Sequence, residues 1–147
     1  MKNVAKLCLH LSLLIAAAAF AAETQPNFTG TWKLNVAKSE MGTSAVTELV
    51  ADVDHEDPVF KYTAKGMASG QAFEVTETIN TDGNPSQDSQ GATVKAHWEG
   101  ATLVAEATGA DGSTLYVARL SMSADGKTIT RVLTQDSRIQ HEIFEKQ

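Results

Sequence analysis

The stretch "NFTGTWKLNVAKSEMG", Asn27 to Gly42, opens on an alternation: Phe28, Gly30, Trp32 and Leu34 share one parity, while Thr29, Thr31 and Lys33 share the other. Successive side chains of a strand point to opposite faces, so this spacing predicts a half-buried strand with Trp32 on its inner side. The same period of two recurs downstream. Strands are expected at Gly30 to Val36, Ala45 to Val53, Val59 to Ala64, Gln71 to Asn80, Ala92 to Trp98, Ala101 to Thr108, Thr114 to Ser123, Lys127 to Thr134 and Arg138 to Glu145.

The interruptions carry turn chemistry. Asp54-His55-Glu56-Asp57-Pro58 is expected to end one strand and start the next, and Asp82-Gly83, Glu99-Gly100, Asp111-Gly112 and Asp125-Gly126 place glycine where a tight hairpin needs positive φ. Connections this short join antiparallel neighbours. The expected fold class is therefore all-β, an antiparallel up-and-down meander of about 8–10 strands, and closure into a barrel would remove its exposed edges. An open two-sheet sandwich is the alternative. Two connections are longer: Ala37 to Ser44, with room for one helical turn, and the polar Thr81 to Gly91.

Upstream of the first strand, Lys2 and Lys6 precede an apolar run from Leu7 to Phe20, and Ala19-Phe20-Ala21 offers small residues for cleavage. Residues 1–21 read as an export signal and 22–147 as a single domain, periplasmic or secreted. The apolar run is shorter than the roughly 20 residues a membrane span needs, so no membrane insertion is expected. Cys8 falls inside the signal, which leaves the domain without cysteine and dependent on burial and sheet hydrogen bonds. Without Lys2 and Lys6 the charge is 10 basic against 18 acidic residues, a net of −8. That balance disfavours nucleic acid and anionic membrane surfaces as partners.

Phe28-x-Gly30-x-Trp32-x-Leu34 at the start of an all-β exported chain resembles the opening of the lipocalin and fatty-acid-binding-protein superfamily, the calycins. "GTWKL" is similar to the first strand of the intracellular fatty-acid-binding proteins, and "IFEKQ" to their last. "NFTGTWKLNVAKSEMG", "TDG", "HWEGATL", "SADGKTIT" and "FEK" together resemble bacterial exported proteins described as lipocalin-like. The resemblance implies a lipocalin-like barrel whose floor is closed by Trp32, with Gly30 letting the entering chain pass close to the base. It also implies an arginine packed over the Trp32 ring, for which Arg119, Arg131 and Arg138 are candidates. The closing strand of fatty-acid-binding proteins carries an Arg-x-Tyr pair that anchors a carboxylate. At the matching positions this sequence has Glu142 and Phe144, and that alignment would turn both inward.

The apolar pattern gives its own interior: Trp32, Leu34 and Val36 on the first strand, then Leu49, Ala51, Val53, Phe60, Tyr62, Ala64, Phe73, Val75 and Ile79. It continues through Val94, Ala96, Trp98, Leu103, Ala105, Ala107, Tyr116, Ala118, Leu120, Met122, Ile129 and Leu133, and selects Ile139 and Ile143 on the last strand. Much of this lining is alanine, which either leaves a cavity or lets two sheets approach closely. Glu77, Arg131 and His141 share parity with it, and a buried charge needs a partner, a ligand group or water. An inward Arg131 beside Tyr62 and Tyr116 would suit a ligand carboxylate on an apolar tail. The candidate ligand-binding residues are Tyr62, Phe73, Glu77, Trp98, Tyr116, Arg131 and His141.

No Gly-x-Ser-x-Gly elbow, phosphate loop or cysteine nucleophile is present. His55, His97 and His141 lack metal-ligand spacing, and Asp52-x-Asp54-His55-Glu56-Asp57 lacks a recognised calcium-loop pattern, so no metal and no cofactor is expected. His141 would be the candidate were a haem bound. Three classes of function remain: a non-catalytic carrier for a small apolar or amphipathic ligand, an envelope interaction module with a filled barrel, and an enzyme in which Glu77, Arg131 or His141 converge inside the barrel.

Overall fold

Period-two segments become ten antiparallel strands in the computed structural model, which describes residues 23–147. The expected export signal, with Cys8, lies outside the described residues. The strands are β1 (Gly30–Leu34), β2 (Val46–Glu56), β3 (Val59–Ala68), β4 (Gln71–Asn80), β5 (Ser86–Gln87), β6 (Thr93–Glu99), β7 (Thr102–Thr108), β8 (Thr114–Met122), β9 (Thr128–Gln135) and β10 (Arg138–Lys146). They form one sheet in the order β4-β3-β2-β1-β10-β9-β8-β7-β6-β5, so consecutive strands are paired everywhere except between β4 and β5. The one pairing between strands distant in sequence is β1 with β10, which brings the two ends of the meander together.

β4 and β5 remain as edges, and they meet at a seam without a ladder. Side chains and loop backbone cover it: the Asn80 N–H donates to Ser86 Oγ (3.4 Å), and Gly83 N–H donates to the Ala96 carbonyl (2.7 Å). The result is a nearly closed barrel rather than an open sandwich. The hairpin glycines Gly83, Gly100, Gly112 and Gly126 all have positive φ.

Three local departures have physical reasons. β2 continues through Asp54, His55 and Glu56, expected as a turn, because His55 keeps the inward parity of Leu49, Ala51 and Val53 and is only 5% exposed. Between β1 and β2 the chain makes a single 3-10 turn, Val36–Lys38, capped by Asn35, whose side chain accepts from the Lys38 N–H (3.1 Å). That turn ends the alternation, so Val36 is exposed instead of internal.

The third departure is the facing of β10. Leu34 pairs with Phe144 and Arg131 with Glu142, which turns Glu142 and Phe144 inward, at 3% and 6% exposed. Ile139 is 59% exposed, and Ile143, of the same parity, faces outward. The apolar count chose the wrong face because Ile139 stands at the strand end, while the charge of Glu142 is offset internally by Arg131.

One pole is closed by aromatic packing. The Trp32 ring is buried, and its Nε1–H donates to the Phe28 carbonyl (2.8 Å). Phe28 is itself fully buried, stacked on Trp98 at 6.0 Å between centroids and edge-on to Phe60 at 5.9 Å. The cation over Trp32 is Lys146, its Nζ 5.4 Å from the ring centroid, and not an arginine. Arg119 instead pairs with Glu99, Arg138 with Asp136, and Arg131 lies over Phe144 at 5.5 Å. Gly30 (φ +146) serves the close approach expected of it, since a Cβ there would stand 2.9 Å from Lys146 Cε.

Gly66 on β3 meets a harder constraint beside the irregularity at Val46 and Glu48, where a Cβ would lie 2.1 Å from the Glu48 carbonyl oxygen and 2.9 Å from Phe73 Cζ. Backbone cannot step aside as a flexible side chain can. Gly66→Ala is expected to lower the free energy of unfolding by about 2–3 kcal/mol, the range of an overpacked site, read as a fall in the urea midpoint at unchanged slope.

Candidate functional site

The inward faces of the strands enclose a cavity of about 290 Å³, running from Trp32 at the closed pole to Gln135 at the end of β9. Small residues leave this space: Ala51, Ala64, Ala105 and Ala118 line four different strands where larger side chains would have filled the barrel. Leu49, Phe60, Ile79, Val94, Leu103, Leu120, Ile129 and Phe144 supply most of the remaining wall.

Besides Gln135, the polar side chains of the wall come from β3, β4, β8 and β9: Tyr62, Glu77, Tyr116 and Arg131. Tyr62 faces Glu77 across the β3–β4 ladder, and its hydroxyl donates to Glu77 Oε2 at 2.6 Å. The other carboxylate oxygen accepts from Ser89 Oγ (3.0 Å), which reaches over the seam from the connection between β5 and β6. Glu77 thus ties the two barrel edges together from inside. Asp88 shapes that connection by accepting from the backbone N–H groups of Gln90 (2.9 Å) and Ala92 (2.8 Å).

Arg131 donates through Nε to Glu142 Oε2, and its side chain is 31% exposed against 4% for Glu142. Among the described residues no protein acceptor takes its two Nη groups, and none pairs with the Tyr116 hydroxyl. Burial raises the Tyr62 hydroxyl well above its ordinary value, reinforced by its hydrogen bond to Glu77, and Arg131 opposes this weakly. Tyr116 is raised for the same reasons: burial first, then the charges of Glu77 and Asp88. Both hydroxyls therefore keep their protons at neutral pH and can donate as well as accept.

Of the seven residues expected to bind a ligand, the fold brings Tyr62, Glu77, Tyr116 and Arg131 to the cavity and leaves three outside. Trp98 packs beneath the floor against Phe28, its Nε1–H donating to Asp57 Oδ1 (3.3 Å). Phe73 is partly buried over Gly66 near the start of β4 and does not line the cavity. His141 is exposed on the outer face of β10, where its backbone bridges Glu40.

The sequence reading missed two groups. Glu142 was set aside by the apolar count, although the alignment to the fatty-acid-binding proteins placed it inward. His55 was hidden in what read as a turn. Its Nδ1 accepts from the Phe28 N–H (3.2 Å), which leaves the proton on Nε2 to bond Asp57 (3.1 Å). Asp57 also accepts from Thr81 Oγ1 (2.6 Å), and this bond, with those from His55 and Trp98, holds its carboxyl below the ordinary value. His55 and Asp57 thus form the structural underside of the floor.

No protein-family model matches the chain, and no curated protein matches it. Among solved structures, one described as "REP1-NXSQ fatty acid transporter" is similar over 82% of this chain and 96% of its own, with a TM-score of 0.57 at 10% identity. At that identity the likeness is one of fold alone.

Proposed function

We propose that this chain is an exported, non-catalytic carrier that holds a small apolar or amphipathic molecule inside its barrel. The observation that carries the reading is the cavity itself: about 290 Å³ of space, walled by aliphatic and aromatic side chains with a few polar groups converging on it. That combination is the usual character of a small-molecule site. The similar fatty acid transporter supports a barrel of this kind as a vessel, without fixing what this one holds. An interaction module would need a filled barrel, and the cavity weighs against it. Of the three alternative residues an enzyme reading could use, Glu77, Arg131 or His141, His141 lies on the outside.

Native mass spectrometry of the protein purified from its own host tests the proposal. A retained small mass is expected, and the intact mass also reads whether the chain begins at Ala22. Ala118, flanked across the sheet by Ala105 and Leu133, offers the matching variant. Ala118→Phe is expected to project a ring into the cavity, abolish the retained mass, and cost about 1–3 kcal/mol of stability. A wild-type protein with no retained mass, and no affinity for any alkyl probe, would sink the carrier reading.

A further inference from the structure

We infer that the barrel selects an amphipathic amine, an apolar chain ending in an ammonium group, over a fatty carboxylate. The inference rests on the carrier reading and concerns the chemistry of the head group. It follows from charge pairing in the interior. Glu77 and one guanidinium, Arg131, line the cavity, and the buried Glu142 beside it already holds that guanidinium through Nε. Among the described residues Glu77 has only neutral donors, Tyr62 and Ser89, and no cation.

A ligand carboxylate would place a third anion in a space with a single, already paired cation. The Arg131 Nη groups would attract it, but Glu142 and Glu77 would both repel it where water screens poorly. An ammonium instead balances the count at two and two. Glu77 retains acceptor capacity beyond its bonds to Tyr62 and Ser89, because two carboxylate oxygens offer about four lone-pair directions. The Tyr116 hydroxyl, unpartnered among the described residues and with its proton held first by burial and then by the charges of Glu77 and Asp88, can accept a second ammonium N–H. At about 30 Å³ per water-sized group, the cavity takes roughly ten such groups, which suits a chain of decyl length.

Isothermal titration calorimetry at neutral pH with decylamine, decanol and decanoic acid decides it. Decylamine is expected to bind about tenfold more tightly than decanol, and decanoic acid more weakly than either. Glu77→Gln should erase the advantage of the amine and improve decanoic acid. Glu74→Gln makes the same charge change on the outer face of β4, where Glu74 pairs with Lys65, and should leave the order unchanged. Decanoic acid binding as tightly as decylamine in the wild type would overturn the inference while leaving the carrier reading intact. So would an equal loss of amine preference in Glu74→Gln, which would assign it to the overall negative charge. Should Glu77→Gln fail to fold, the wild-type ranking still decides. Failure of all three probes to bind would remove the inference, and with no retained mass in the native spectrum it would remove the carrier reading as well.

Discussion

Trp32→Ala is expected to lower the free energy of unfolding by about 3–5 kcal/mol, the range for deleting a large buried aromatic side chain. The indole is 1% exposed and forms the closed end of the cavity, so its removal enlarges a space that already exists and cannot collapse inward. It also leaves the Phe28 carbonyl without the 2.8 Å bond from Nε1 and frees Phe28 from its fixed position over Trp98, Phe60 and His55. Lys146 loses the ring beneath its ammonium, a smaller contribution of roughly 0.5–1 kcal/mol at an exposed site. Against a typical total of about 5–15 kcal/mol, this one floor residue carries a large share of the stability. Urea unfolding followed by Trp98, the one tryptophan left, measures this directly, and its own fluorescence should change as Phe28 moves. Trp32→Phe keeps most of the volume and should cost distinctly less. A loss below 1 kcal/mol for Trp32→Ala, roughly that of one net hydrogen bond, would mean the floor is held by Phe28 alone.

Arg131→Met carries the second large effect, because it leaves Glu142 buried as an anion without its cation. Breaking a buried pair from one side costs about 3–5 kcal/mol, and the partial exposure of Arg131 sets the expectation at the lower end, about 3 kcal/mol. The double variant Arg131→Met with Glu142→Met should recover most of that loss, since two well-packed apolar side chains replace two desolvated charges. The cycle of single and double variants then isolates the coupling of the pair. Equal stability of the Arg131→Met single variant and the wild type would show that water reaches Glu142. The double variant also keeps Glu77, so it should preserve the preference for decylamine.

Much of the architecture was open to the sequence reading. Alternation from Phe28 to Leu34 and the hairpin glycines are local signals, and local signals survive into the folded chain because strand parity and turn conformation depend on adjacent residues. Four cavity-lining residues were legible on the same ground: Tyr62, Glu77, Tyr116 and Arg131 stand in strands whose apolar parity is unambiguous. Trp98 shared that parity and still missed the cavity, because position along the barrel axis depends on strand tilt and on the Phe28 segment beneath it. His55 was legible in principle, by extending the parity of Leu49, Ala51 and Val53 by one more step.

By itself, then, the sequence determined the meander, the inward Trp32 and the absence of any cysteine in the domain. Tertiary structure decided which face of β10 turns inward. Ile139 and Ile143 compete with Glu142 and Phe144 on that strand, and no count of apolar residues within it resolves the contest. Pairing with β1 sets Phe144 beside Leu34, and pairing with β9 sets Glu142 against Arg131, whose guanidinium offsets the cost of burying a carboxylate. That compensation joins residues on two strands and exists only once the barrel has closed. Among the described residues it also leaves Glu77 as an interior carboxylate without a cation, the feature on which the proposed preference for an ammonium rests.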